Sequence, residues 1–145
     1  ESEILKKATP IINKEKNIPV LRGGWRREYV IERLQKAGIP FSFFEKVPLE
    51  QLKIMYGACD LYVVASRFEG GPQAILEASA MKVPIISRDV GIANVVLEPN
   101  CVIDIPNESF IPGEDSVEKN YQNVQDYSIV LYKRNYIQMF KRVLK

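Results

Sequence analysis

Short apolar runs alternate with longer amphipathic stretches along the chain, a pattern that predicts βα units wound into a parallel sheet. The runs at 18–22, 41–44, 61–65, 84–87 and 101–105 are the expected strands. "LYVVA" at 61–65 has almost no polar face, so it is expected at the centre of the sheet and buried on both sides. "WRREYVIERLQKAG" sets Tyr29, Val30, Leu34 and Ala37 at helical spacing and stops at Gly38, with Pro40 just beyond, which predicts a helix leading into a strand. "PLEQLKIMYGACD" does the same with Leu49, Leu52, Ile54, Met55 and Ala58 as its apolar side.

A further helix is expected over 3–14, so the chain opens on a helix with no strand before it. The segment 106–120 is polar and punctuated by Pro106, Pro112 and Gly113, which predicts a long surface loop. The tail at 121–145 regains helical periodicity through Ile129, Tyr132, Tyr136, Met139, Phe140 and Val143. That stripe is expected to pack back on its own domain, the alternative being a partner-binding face.

A length of 145 residues with 46% hydrophobic content suits a single domain with one core. It divides into a partial first βα unit at 1–17, a core carrying the candidate site at 18–105, the loop at 106–120 and the terminal helix at 121–145. Twenty basic and 18 acidic residues are scattered along the chain and sum to +2, which gives no support to a nucleic-acid partner. There is no apolar run long enough for a transmembrane segment and no signal-peptide core at the start, so a soluble, cytoplasmic protein is the expectation. Cys59 and Cys101 form no CxxC and the chain has no histidine, so no metal site is expected and both thiols are read as buried and apolar.

The densest chemistry lies in "SRFEGGPQAILEASAMKVPIIS" at 66–87. Pro72 suits the first position of a helix running to about residue 81, and Gly70 and Gly71 permit a tight turn with close backbone approach. At that helix start the N–H groups of Gln73 and Ala74 lack acceptors and the dipole is positive, which favours an anion such as phosphate. Glu69 precedes the turn, and Glu77 lies just over one turn into the helix, on the face of Gln73 and Ala74. Carboxylates are poor phosphate ligands and good hydroxyl acceptors. A nucleotide sugar, with phosphates in the middle and a polyol at each end, would satisfy all of these groups. The spacing fits equally a plain Gly-Gly-Pro turn in which Glu69 is solvated and Glu77 pairs with a neighbouring cation.

At these residues the sequence resembles the donor-binding half of the family 4 glycosyltransferases, retaining enzymes of GT-B fold. Their signature is a Glu, seven residues and a second Glu, here "EGGPQAILE" continued by "ASAMKVPIISRDVGIANVVL". "VPLEQLKIMYGACDLYVVASRFEG" and "GGWRREYVIERLQKAGIPFSFFEKV" are similar to the preceding segments in register, so the resemblance covers nearly all of 18–105. It implies an α/β domain with a Rossmann-like parallel sheet flanked by helices, and metal-independent hexosyl transfer with retention from a nucleoside-diphosphate sugar, without a further cofactor. Glu69 would be the catalytic residue at the donor sugar and Glu77 the ribose ligand. Backbone groups of Gly70, Gly71, Pro72, Gln73 and Ala74 would lie near sugar and diphosphate, Val47 near the base, and Gly23 and Gly24 in a glycine-rich loop bordering the nucleotide.

The family's members are about twice as long, with an N-terminal acceptor domain and a first donor-half strand whose following loop supplies an Arg and a Lys. Neither is identifiable here, which implies a fragment that an N-terminal domain or another chain completes. The acceptor, be it glycan, lipid or small molecule, and any peripheral membrane contact would then belong to the missing half. The missing strand would be central in the family's order, leaving a gap or a partner's strand in its place. Arg22, Arg26, Arg27, Lys46, Arg67 and Arg88 are the available substitutes for the basic pair, none at the expected place. Gly71 stands where relatives carry a side chain, and Lys82 where they carry glycine. The alternative functions are a non-catalytic nucleotide-binding or assembly module of the same fold, or a sugar-nucleotide epimerase.

Overall fold

A computed structural model describes residues 20–23, 28–44, 47–71, 73–103 and 111–144. The helix expected over 3–14 lies outside them, as do Gly24, Pro72, the first two residues of the strand expected at 18–22 and the last two of that at 101–105.

The first unit is β1 (Val20–Gly23), α1 (Glu28–Lys36) and β2 (Phe41–Phe44). The two strands pair in parallel, Val20 against Phe41 and Gly23 against Phe44. Helix α1 buries Val30 and Leu34, which form a small core with Ile39 against Phe41, while Tyr29 of the expected stripe is exposed. The helix stops because Gly38 takes a φ of 66°, where a side chain is unfavourable. The Ile39 N–H then reaches back to the Leu34 carbonyl at 3.0 Å and turns the chain into β2.

The second unit contains α2 (Leu49–Gly57), β3 (Tyr62–Val64), α3 (Gln73–Ala80), β4 (Ile85–Ser87) and the short α4 (Ala93–Val96). Strands β3 and β4 are parallel, Tyr62 against Ile85 and Val64 against Ser87. The run expected as a strand at 101–105 contributes a 3-10 turn at Pro99–Cys101 and one parallel bridge, Val102 to Ser87. Strand β4 is therefore flanked on both sides and wholly buried. The expectation that 61–65 is buried on both faces is corrected: Val63 is 42% exposed, and in the described ladder β3 pairs with β4 alone. Apolar composition marks a buried strand only where both faces and both edges find cover.

These elements enclose the main core, built around Tyr56, Ile75, Ile85, Val96 and Cys101. The buried side of α2 is Tyr56, with Leu52 packed beside it, whereas Leu49 and Ile54 of the expected stripe face solvent. Cys101 is buried and Cys59 is half-buried, donating to the Met55 carbonyl at 3.1 Å. Burial pushes both thiols above their usual pKa and keeps them protonated.

The loop expected over 106–120 is helical from residue 114, where α5 (Glu114–Val124) begins. Its buried face is Ser116, Asn120 and Val124, and the Asn120 side-chain oxygen accepts the Glu98 N–H at 2.7 Å. A 3-10 turn at Gln125–Tyr127 leads to α6 (Ile129–Val143), capped by the Ser128 hydroxyl on the Leu131 N–H. No residue of α6 is buried, so the aromatic stripe through Tyr132, Tyr136 and Phe140 does not pack back on the described residues as expected. The architecture is α/β, with parallel strand pairs flanked by helices; among the described residues no ladder joins β1 and β2 to β3 and β4.

Candidate functional site

The chain leaves β3 at Val64, passes through Ser66, Arg67, Phe68, Glu69 and the two glycines, and enters α3 at Gln73. The end of β3 is fixed by the Arg88 N–H, which donates to the Val64 carbonyl at 3.1 Å. A turn launched from the carboxyl end of a parallel strand is where open α/β sheets receive ligands.

Glu69 is exposed, and Phe68 beside it is 95% exposed, an apolar ring held in water next to a carboxylate. Gly70 and Gly71 do not take the left-handed backbone that glycine alone tolerates; among the described glycines only Gly38 and Gly91 do. What the pair provides is space, since a Cβ built at either position meets nothing within 4 Å. The glycines leave the turn bare and its backbone open to close approach.

Helix α3 presents Gln73 exposed and Ala74 half-buried at its first turn, and buries Ile75, Ala78 and Ser79 in the main core. That apolar side sets the rotation of the helix and leaves Glu77 half-buried at the core's margin. There the Tyr56 hydroxyl, from the buried side of α2, donates to Glu77 Oε2 at 2.9 Å. The Tyr56 ring meets Tyr62 of β3 edge to face, with centroids 5.8 Å apart. Burial, then the neighbouring Tyr62 and the hydrogen bond to Glu77, push the Tyr56 phenol far above its usual pKa, so it stays a donor. Among the described residues Glu77 thus meets a hydroxyl, while ion pairs there engage Glu32, Glu50, Glu98 and Glu118.

The far end of α3 is closed by Lys82, which takes a φ of 56°. The Lys82 N–H reaches the Ser79 carbonyl and the Val83 N–H the Ala78 carbonyl, both at 3.0 Å, the pattern that ordinarily places glycine here. Lys82 compensates with its side chain, which meets Glu118 at 2.7 Å and lies 4.4 Å from the Tyr121 ring centroid, tying α3 to α5.

The structure thus gathers Glu69, Gly70, Gly71, Gln73, Ala74 and Glu77 on one turn and its helix. Gly23 ends β1 and Val47 follows β2, each at the carboxyl end of its own strand. Gly24 and Pro72 lie outside the described residues. Of the basic candidates, Arg67 is exposed in the turn and Arg88 follows β4, while Arg26, Arg27 and Lys46 lie outside the described residues. The residue that sequence reasoning missed is Tyr56, whose only sequence signal was an aromatic ring with a hydroxyl inside an otherwise apolar helix.

Comparisons with known proteins point one way. The family described as glycosyl transferases group 1 matches residues 2–123. No curated protein matches the sequence. Among solved structures, a GtfA/B complex is similar over 98% of this chain and 33% of its own, with a TM-score of 0.70 and 16% identity. A sucrose-phosphate synthase from Thermosynechococcus elongatus is similar over 97% of this chain and 43% of its own, with a TM-score of 0.66 and 15% identity. The catalytic domain of a cholesterol-α-glucosyltransferase from Helicobacter pylori is similar over 94% of this chain and 85% of its own, with a TM-score of 0.60 and 21% identity. The chain spans less than half the length of the first two, and these neighbours share the GT-B fold.

Proposed function

The chain belongs to the glycosyl transferases group 1 family, and on that premise we propose that it forms the donor-binding half of an enzyme that moves a sugar from a nucleoside diphosphate to an acceptor hydroxyl. The observation that carries this reading is the turn at 69–77, inside the matched region, where a carboxylate, a bare glycine pair, a helix start and a second, anchored carboxylate follow in order. Each has a partner in a nucleotide sugar. Glu69 accepts hydrogen bonds from the sugar hydroxyls and acts at the reacting ring. The amides of Gln73 and Ala74 receive the diphosphate at the positive end of α3. Glu77 accepts from the ribose hydroxyls. The backbone at Val47 meets the base, and Gly23 and Gly24 border the nucleotide.

On this reading transfer retains the anomeric configuration and needs no metal. The acceptor oxygen bonds to the anomeric carbon on the face from which the diphosphate leaves, the bond to phosphate oxygen breaks, and the acceptor's proton passes to the departing oxygen. The charge that must be stabilised develops on the diphosphate, and preoriented amides at a helix start do this without reorganising. The acceptor site belongs to sequence outside these 145 residues, so this chain alone binds nucleotide weakly and transfers sugar slowly or not at all.

Calorimetry with UDP, GDP and ADP tests the reading: one of them binds, and Glu77→Ala weakens that binding. A folded chain that binds none of the three supports the non-catalytic assembly module instead. Product analysis on the complete protein separates a sugar–acceptor product from the altered sugar nucleotide of an epimerase. Rapid transfer by the 145 residues alone overturns the need for a second half.

A further inference from the structure

Glu77 is one of the longer and more flexible side chains, and such a group binds a pair of hydroxyls well only if something holds it in place. Among the described residues that holder is Tyr56. The residue is 7% exposed, its ring fixed in the main core and against Tyr62, and its hydroxyl reaches across to α3 to donate to one carboxylate oxygen at 2.9 Å. The other oxygen, Oε1, has no hydrogen-bond partner among the described residues. An ionised carboxylate offers about four lone-pair sites, so a single donor leaves room for two more.

We propose that Tyr56 is a positioning residue for nucleotide recognition, orienting Glu77 so that its carboxylate accepts both hydroxyls of the ribose. This rests on the assignment of Glu77 to the ribose made above. A purely structural reading would have Glu77 serve only as the partner that a buried tyrosine hydroxyl requires. The two readings differ in one respect: only positioning makes the hydroxyl of Tyr56 matter to a ligand that carries ribose hydroxyls and not to one that lacks them.

The test is titration calorimetry on the full 145-residue chain with UDP, GDP and ADP and with the 2′,3′-dideoxy form of whichever binds, comparing the unaltered protein with Tyr56→Phe. Phenylalanine fills the same core space, and thermal melts establish that the variant is folded. The expected result is that the unaltered protein prefers the ribo form, and that Tyr56→Phe weakens the ribo form about tenfold while leaving the dideoxy form unchanged. Glu77→Gln, which keeps an acceptor for Tyr56 but loses the charge, should also erase the preference. If Tyr56→Phe retains the full preference, or weakens both forms equally, Tyr56 does not position Glu77 and the inference fails alone. If the unaltered protein shows no preference, or binds none of the three nucleotides, the ribose assignment fails and takes the inference with it.

Discussion

A methyl group added at Gly70 meets no atom within 4 Å and forces no unusual backbone, so its effect on folding should be small. The same methyl would stand where a ligand must approach. Gly70→Ala is therefore expected to leave the melting temperature within a degree or two while weakening nucleoside diphosphate binding severalfold, a pairing that melts and calorimetry read separately. Tyr56 gives a second prediction at this scale. Its phenol is held far above the ordinary range, so its contribution to stability is fully present below the unfolded tyrosine pKa of about 10 and is lost as pH rises beyond it. Phenylalanine cannot ionise, so the stability advantage of the unaltered protein over Tyr56→Phe should narrow between pH 8 and 11; a constant gap would contradict the assignment. The spacing of Glu69, the glycines and Glu77 was legible along the sequence because a turn and the helix it enters are local. Tyr56 was not, because its partner lies 21 residues away and the meeting depends on how α2 and α3 pack.

Lys82 shows the same limit for whole elements. Its position after α3 reads as one for glycine, and the structure agrees about the backbone, which is left-handed there. The side chain that glycine would lack is what joins α3 to α5 through Glu118 and Tyr121. Lys82→Ala keeps the unfavourable backbone and loses the tie, whereas Lys82→Gly loses the tie and relieves the backbone, so the glycine variant should melt above the alanine variant. The hydrogen bond from Lys82 holds the Glu118 carboxyl below its usual range. That contribution is present above the unfolded glutamate pKa and is lost as pH falls through the lowered one, so the deficit of Lys82→Ala should shrink in acid. Helix α5 was invisible to periodicity for a related reason. Its buried positions, Ser116, Asn120 and Val124, have correct helical spacing, but two of them are polar, and Glu98, Asn100 and Cys101 on the facing segment satisfy them. Helix α1, by contrast, was legible to its end, because Val30, Leu34 and Gly38 carry both the buried face and the stop.

At the scale of the molecule, the α/β alternation and the parallel pairing follow from the sequence, but the ranking of strands does not. "LYVVA" is the most apolar run, yet β4 is the strand with neighbours on both edges, because Val102 bridges to Ser87 while no described strand pairs with the other side of β3. The stripe on α6 is likewise real as a helix but not a buried face among the described residues, since periodicity reports where apolar residues point and not what covers them.

The two strand pairs have separate cores of very different size: Val30, Leu34 and Ile39 on one side, and the larger group around Ile75, Ile85 and Cys101 on the other. A chain built this way need not lose its structure in one step. Amides of α1 and β2 are expected to exchange with deuterium well before those of α3 and β4. With denaturant added, protection of α1 and β2 should be lost at a lower concentration than that of α3 and β4, and a ligand bound at the turn after β3 should move the later transition more than the earlier one.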